Sequence, residues 1–187
     1  FQEAENATAC VVCTPGYYCS EGAAAALPCA EGTYSDATSL TSAAECTPTD
    51  EGHFAPTGST QQAECSPGTV APNLRMGACD KCAAGTYQDR EGETACLDCR
   101  DGYYCAEGAS AGLPCPSGRY QNSTLADLGI SMTSADDCVV CPAGSFCSTG
   151  AAEATECSPG AVQPLLEQGT CDKCAAGSFQ AVSYTHL

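Results

Sequence analysis

Large apolar side chains occur once in each copy of a short motif and are separated by small and polar residues. The motif reads C-x-x-G-x-ring, and ten copies run along the 187 residues. Eight of the 12 aromatic residues occupy its ring position. The ring residues are Tyr18, Tyr34, Phe54, Tyr87, Tyr104, Tyr120, Phe146 and Phe179, with Val70 and Val162 in the other two copies. One large side chain per copy predicts a string of small repeats and not a globule with one shared core.

The same pattern predicts short β-hairpins and little helix. No apolar period of 3.6 residues continues beyond one turn, and 19 glycines and 11 prolines interrupt the chain. Segments such as 85–88 can pair as two-stranded hairpins, which are stable only when tethered. The motif glycine permits a positive φ, so the chain can reverse and let the ring cover a neighbouring disulfide. The predicted fold class is therefore small and disulfide-rich, an elongated array of about ten short cysteine-rich units with minimal β-hairpins.

Cysteine content points to disulfides as the source of stability. A repeat of about 16 residues cannot bury a core alone, because chains below roughly 40 residues need disulfides, metals or partners. The chain contains 18 cysteines, a fraction typical of disulfide scaffolds that fold in oxidising compartments. We therefore predict an extracellular location, either secreted or as the ectodomain of a membrane protein.

One defective copy of the motif indicates how the cysteines pair. Thr49 replaces the first cysteine of the third copy, which we call the opener, and Gln62 stands where its closing cysteine is expected, three residues before the next opener. Joint loss of both is expected if opener and closer form one bond. This scheme predicts the pairs Cys13–Cys19, Cys29–Cys46, Cys65–Cys79, Cys82–Cys96, Cys99–Cys105, Cys115–Cys138, Cys141–Cys147 and Cys157–Cys171.

A rival pairing remains open in the blocks that contain four cysteines. There the first cysteine would bond the third and the second the fourth, for example Cys96–Cys105 and Cys99–Cys115. The first scheme leaves Cys10 and Cys174 over, and we expect their partners to lie outside this chain.

Charge excludes several classes of partner. The formal net charge is −17 with six basic residues, which argues against nucleic-acid binding and against attraction to anionic lipid. The carboxylates are scattered and form no calcium-binding loop. No apolar run is long enough to span a membrane, so we expect no membrane insertion by this segment. Two sequons predict N-glycosylation at Asn6 and Asn122.

Segment boundaries follow from the repeats. Residues 1–9 are interpreted as the end of a preceding unit or a linker, 10–98 as the first half of the repeats and 99–181 as the second half. Residues 182–187 read VSYTHL, which matches the in-frame translation of a transposase-based sequencing adapter. We therefore expect these last six residues not to be native.

The array, with copies such as CAAGTYQDREGETACLDC and CPSGRY, resembles the ephrin-receptor-like cysteine-rich repeats. It is also similar to the first loop of tumour necrosis factor receptor cysteine-rich modules. These resemblances imply an elongated extracellular stalk. The sequence contains no Ser/His/Asp arrangement, phosphate loop or paired-carboxylate cleft, so we expect no enzymatic activity and no cofactor. The predicted function is a structural or adhesive spacer of a larger surface protein, with an unidentified protein or glycan at the cell surface or matrix as partner.

Two other functions compete with the spacer. A ligand-binding receptor segment would need an exposed patch, and the insert between Cys115 and Cys138, with Leu125 and Leu128, is the candidate. The same insert can instead fold back onto the repeats, which we favour. The five C-x2-C pairs could hold zinc, but opener-to-closer bonding assigns the two cysteines of each pair to different repeats.

Overall fold

Nine two-stranded antiparallel sheets make up the regular structure of the computed structural model, which describes residues 9–180. We number the repeats by their openers, from repeat 1 at Cys13 to repeat 10 at Cys174. The paired strands are Tyr17–Tyr18 with Leu27–Pro28 (β1, β2), Thr33–Tyr34 with Thr47–Pro48 (β3, β4), His53–Phe54 with Ala63–Glu64 (β5, β6), Thr69–Val70 with Asp80–Lys81 (β7, β8), Thr86–Tyr87 with Leu97–Asp98 (β9, β10), Tyr103–Tyr104 with Leu113–Pro114 (β11, β12), Arg119–Tyr120 with Val139–Val140 (β13, β14), Ser145–Phe146 with Thr155–Glu156 (β15, β16), and Ala161–Val162 with Asp172–Lys173 (β17, β18). The predicted disulfide-rich hairpin fold is confirmed.

Each hairpin starts from a tight turn around the motif glycine. In repeat 3 the N–H of His53 donates to the C=O of Asp50 at 3.2 Å, and Gly52 lies between them with a φ of +76°. A turn of type II requires a positive φ at its third position, which favours glycine there. The same bond recurs in all ten motifs, and in the first nine the turn leads directly into a strand whose second residue is the ring position.

Disulfides form the interior of the described chain. The largest fully buried side chains are seven cysteines and Thr49. Eight bonds join Cys13–Cys19, Cys29–Cys46, Cys65–Cys79, Cys82–Cys96, Cys99–Cys105, Cys115–Cys138, Cys141–Cys147 and Cys157–Cys171. These are the pairs of the opener-to-closer scheme.

Rings of one repeat pack on the disulfide of the next. Tyr18 of repeat 1 contacts the cluster formed by Leu40 and the Cys29–Cys46 bond. Tyr104 of repeat 6 contacts the equivalent cluster of Met132 and the Cys115–Cys138 bond. In both clusters an apolar side chain from the loop, Leu40 or Met132, is buried with the disulfide, so a ring, a disulfide and one loop residue form a small core.

Helix is confined to three short segments of the described chain. An α-helix (α1) spans Ser123–Asp127, and 3-10 turns span Ala43–Glu45 and Ala135–Asp137. Within residues 9–180, no helix has the length and apolar character needed to cross a bilayer.

Contacts group the described residues into two compact parts. The first comprises residues 9–82 and 88–96, and the second comprises 83–87 and 97–180. Repeat 5 contributes to both parts, because its strand pair β9–β10 belongs to the second and its loop to the first. The domain boundaries drawn from the sequence stay a prediction.

Candidate functional site: the repeat junctions and the insert of repeat 7

Two backbone hydrogen bonds on one glycine join each repeat to the next. In the first, the N–H of the following opener donates to the glycine C=O at 2.8–3.0 Å, as Cys65 does to Gly52. In the second, the glycine N–H donates to the residue after the next ring, as Gly52 does to Ala71 at 2.8 Å. The first bond is present at all nine junctions and the second at seven. The C=O of the motif glycine is therefore the acceptor of the first bond, and its N–H is the donor of the second.

At the other two junctions a glutamine side chain supplies the acceptor. Gly102 donates to Oε1 of Gln121 at 3.0 Å, and Gly160 donates to Oε1 of Gln180 at 3.2 Å. Both glutamines follow the ring, which is the position whose C=O accepts elsewhere. Sequence reasoning missed this role, although the position after the ring could have suggested it.

At five junctions, backbone atoms of the repeat two further on leave no room for a side chain at the motif glycine, which is Gly16, Gly32, Gly52, Gly102 or Gly118. A Cβ added to Gly52 of repeat 3 would overlap the carbonyl oxygen of Gly92 in repeat 5. A Cβ on Gly118 of repeat 7 would likewise overlap the carbonyl oxygen of Glu167 in repeat 9. Glu167 itself has a φ of +60°, and its N–H donates to the C=O of Cys141 at 2.9 Å. At these junctions the repeats therefore contact each other through backbone atoms, and a side chain at the glycine would collide with the neighbouring backbone.

Hydrogen bonds replace the missing disulfide in repeat 3. Thr49 is fully buried, and its Oγ1 accepts from the N–H of Met76 at 3.0 Å. Gln62 Oε1 accepts from the N–H of Asp50 at 2.8 Å, and its Nε2 donates to the carboxylate of Asp50 at 2.7 Å. Gln62 therefore ties the end of the hairpin to Asp50 without a covalent bond, while Thr49 bonds the loop of repeat 4.

Capped turns lead into the closing cysteines of the two longest loops. Glu45 accepts from Thr41 and Ser42, and Asp137 accepts from Thr133 and Ser134, each forming a capping box. The shared pattern T-S-A-x-[D/E]-C was the signal that sequence reasoning did not use.

These hydrogen bonds shift both carboxyl groups. The Thr41 hydroxyl is the main cause that holds the pKa of Glu45 below its ordinary value, and the backbone N–H groups of Thr133 and Ser134 do the same for the pKa of Asp137. Because the folded pKa is lowered, each cap stabilises the fold above the ordinary carboxyl pKa. That contribution is lost as pH falls through the lowered value.

The insert of repeat 7 combines a buried side and an exposed side. Leu125 packs with Met132 on the Cys115–Cys138 bond, as expected for a loop that folds back. Leu128 and Ile130, in contrast, are 67% and 51% exposed. The insert is therefore anchored on the repeat and still presents apolar side chains to solvent.

A groove of about 330 Å³ lies beside this insert, between repeats 6 and 7. Its polar lining includes Asp98, Arg100 and Asn122, and its apolar lining includes Ile130 and Met132. The Arg100 guanidinium stacks over the Tyr103 ring, 4.1 Å from the ring centroid. The groove is thus mainly polar, with an apolar wall supplied by the insert.

Other residues considered in the sequence have ordinary surroundings or fall outside the described range. Cys10 and Cys174 take no part in the eight disulfides, and their predicted external partners stay a prediction. His53 lies opposite Glu64 in the hairpin, with Nε2 3.9 Å from the carboxylate. Asn6 and residues 182–187 lie outside the described residues. Within 9–180, no group of three or more His, Cys, Asp or Glu side chains is placed to hold a metal ion.

Peptide mapping of the unreduced protein tests the pairing of the four-cysteine blocks. Asp-N cleavage before Asp98 separates Cys96 from Cys99, and Glu-C cleavage after Glu107 separates Cys105 from Cys115. We expect Cys99 to be found linked to the Cys105 peptide, because the structure bonds Cys99 to the cysteine that directly follows the first strand of the same repeat. A peptide that links Cys96 to Cys105 would support the rival pairing. Mapping after reduction and alkylation is the control, since every link should then disappear.

Comparison with known proteins gives one partial similarity. No protein-family model matches the chain. A Danio rerio protein, signal peptide, CUB and EGF-like domain-containing protein 2, is 32% identical over 101 residues, which are 51% of this chain and 10% of that protein. The chain spans about a tenth of the relative's length, and the resemblance to ephrin-receptor-like and tumour necrosis factor receptor modules stays a prediction. Over about half its length, then, this cysteine-rich repeat chain is similar to a section of a much longer EGF-like-domain-containing protein.

Proposed function

We propose that this chain is a non-catalytic extracellular spacer, structural or adhesive, within a larger cell-surface or secreted repeat protein. The observation that carries the proposal is the use made of the recurring motif. Its cysteine forms a disulfide within the repeat in eight copies, its glycine N–H and C=O join adjacent repeats, and its ring covers a disulfide where the ring contacts are described, as at Tyr18. The cysteine, glycine and ring of the motif therefore all take part in holding the repeats together, which is typical of a structural array.

Burial supports the same proposal. Beyond the cysteines, the most deeply buried polar side chains are those of Thr49 and Gln88, and both are hydrogen-bonded to backbone groups. Among the described residues, no buried side-chain nitrogen or oxygen lacks a partner. Catalytic sites commonly contain polar groups held in perturbed environments. The buried polar groups here are satisfied within their own loops and junctions.

An extracellular location is supported by chemistry and by similarity. Eight disulfides in one chain are typical of proteins that fold in an oxidising compartment. The name of the similar zebrafish protein includes a signal peptide and EGF-like domains. The resemblance to ephrin-receptor-like repeats agrees with a stalk role.

A ligand-binding receptor segment is the second candidate. The exposed Leu128 and Ile130 favour it, because interfaces are centred on apolar side chains that a partner buries. Zinc binding is a remote third candidate. In the C-x2-C pair of Cys79 and Cys82, each cysteine belongs to a different disulfide, so neither thiolate is free to bind a metal.

Yeast display of the chain, with an epitope tag at its distal end, separates spacer from receptor. Binding of matrix proteins and of cultured cells is measured for the wild type and for the double variant Leu128→Ser/Ile130→Ser. The variant Leu165→Ser/Leu166→Ser is the matched control, since these leucines are 62% and 61% exposed in repeat 9. If the chain is a spacer, we expect the epitope tag to be accessible to its antibody. Binding of matrix proteins and cells should then be the same for the wild type and for both double variants. Binding that is lost only with Leu128→Ser/Ile130→Ser would favour the receptor.

A further inference from the structure

Asn122 lies at the rim of the groove beside the insert of repeat 7, and its hydrogen bonds leave one atom available. Its Oδ1 accepts from the N–H of Leu125 at 3.3 Å, and its own N–H points at Sδ of Met132 at 3.5 Å. Among the described residues its Nδ2 makes no hydrogen bond. Nδ2 is the atom to which N-linked glycans are attached, and Asn122-Ser123-Thr124 is a sequon. The side chain is therefore held in position by the hydrogen bond of its oxygen, while its nitrogen has no hydrogen-bond partner among the described residues.

The groove next to Asn122 has the size and lining suited to a sugar. Its volume of about 330 Å³ lies near the lower end of the range of about 300–1,000 Å³ for small-molecule clefts. Arg100 provides donors and Asp98 provides acceptors, and neither forms an ion pair in the described chain. Ile130 and Met132 contribute the apolar part of the lining.

Charge favours a neutral occupant. The chain carries a formal net charge of −17, and Asp98 and Asp101 both line the groove beside a single arginine. An anionic ligand would be repelled by this surface. N-acetylglucosamine is neutral, offers hydroxyl and amide groups to Asp98 and Arg100, and carries an acetamido methyl group that suits Ile130.

We propose that Asn122 carries an N-linked glycan whose first N-acetylglucosamine lies in this groove. The inference rests on the proposed extracellular function, because the glycan is added in the secretory pathway. The bound sugar would cover the exposed face of Ile130 and hold the insert against repeat 6. The insert is then a sugar-covered surface and not a docking site for another protein.

Secretion from cells that make oligomannose glycans provides three forms of the protein for comparison. The first carries the whole glycan, the second keeps one N-acetylglucosamine after endoglycosidase H, and the third has none after peptide N-glycosidase F. Peptide mass measures occupancy at Asn122 separately from the second sequon at Asn6, and hydrogen exchange is followed in peptides covering 98–103 and 129–132. We expect the first two forms to exchange alike and the third to exchange several-fold faster in both peptides, because the first sugar alone fills the groove.

Two variants control the comparison. Peptide N-glycosidase F converts Asn122 to Asp, so Thr124→Ala, which removes the sequon and keeps the asparagine, should exchange like the third form. Ile130→Ala should reduce the difference between the glycosylated and bare forms, whereas Leu165→Ala in repeat 9 should leave it unchanged.

The outcomes separate this inference from the proposed function. Secreted, fully disulfide-bonded protein with Asn122 unmodified, or with one-sugar and bare forms that exchange alike, would overturn the glycan proposal alone. Protein that is not secreted, or that retains many free thiols, would contradict the extracellular spacer and the glycan together.

Discussion

Replacing Gly52 with alanine is expected to destabilise the junction of repeats 3 and 4 by about 3 kcal/mol. A left-handed φ costs an ordinary L-residue about 1–2 kcal/mol, and Gly52 has a φ of +76°. The new Cβ would also overlap the carbonyl oxygen of Gly92, and overpacking of this kind costs about 1–3 kcal/mol. Relief of the overlap requires the loops to separate, which breaks the bonds that Gly52 makes to Cys65 and Ala71.

Gly144→Ala is the matched control for this variant. Gly144 has a φ of +83° and makes the same two junction bonds, to Cys157 and Gln163, but no atom lies within 4 Å of its added Cβ. Its cost is therefore the conformational part alone, about 1–2 kcal/mol.

Hydrogen exchange at one amide in each variant measures the two costs. The amide of Cys65 reports on Gly52, and the amide of Cys157 reports on Gly144, because each donates to the glycine carbonyl. Since 1.4 kcal/mol corresponds to a factor of ten, we expect exchange about 100-fold faster at Cys65 and about tenfold faster at Cys157. Equal acceleration in the two variants would show that the approach of Gly92 does not constrain the junction.

Sequence reasoning reached the hairpins because they depend on residues close in the chain, and the pairing that it predicts rests on the same local information. The joint substitution of Thr49 and Gln62 links an opener to its closer across one hairpin. The ring of Tyr18 was placed on a neighbouring disulfide from the turn geometry of a glycine alone, and the contact with Cys29 and Cys46 confirms it. Local chemistry was sufficient for these elements.

Contacts between repeats could not be read in the same way, because they are made by backbone atoms. The carbonyl oxygen of Gly92 meets Gly52 whatever side chains surround it, so no pattern of residue types marks the pair. Ser39, Arg75 and Glu167 adopt positive φ values at corresponding loop positions, although none of them is glycine. Their N–H groups donate to the openers of the preceding repeats, which offsets the cost of that conformation.

The insert of repeat 7 shows the same division between local and distant information. Its apolar residues predicted either an exposed patch or a loop folded back onto the repeats. In the structure Leu125 packs against the repeat, whereas Leu128 is exposed. Met132 occupies the position of Leu40, six residues before the closing cysteine in both loops. That spacing can be seen in the sequence. The groove cannot, because it depends on where repeat 6 places Arg100.

Restoring both cysteines of repeat 3, in the double variant Thr49→Cys/Gln62→Cys, is expected to stabilise the protein by about 1–2 kcal/mol. The hairpin of repeat 3 pairs Phe54 with Ala63, the residue after Gln62. Repeat 4 pairs Val70 with Asp80, the residue after Cys79, so the two hairpins share one register. A loop of about 15 residues closed by a disulfide contributes up to about 3 kcal/mol. Loss of the hydrogen bonds made by Thr49 and Gln62 offsets about 1 kcal/mol of this.

Resistance of residues 50–62 to proteinase K in the folded, oxidised protein measures the gain. Cleavage in this loop should slow by about tenfold in the double variant, since 1.4 kcal/mol is a factor of ten when cleavage follows local opening. The single variant Gln62→Cys is the control, because it loses the bonds to Asp50 and gains no partner, and it should be cleaved faster than the wild type. Mass spectrometry of the double variant should show the loss of two hydrogens that accompanies the ninth bond. Formation of that bond with no slowing of cleavage would mean that the hydrogen bonds of Thr49 and Gln62 already hold the loop as firmly as a disulfide does.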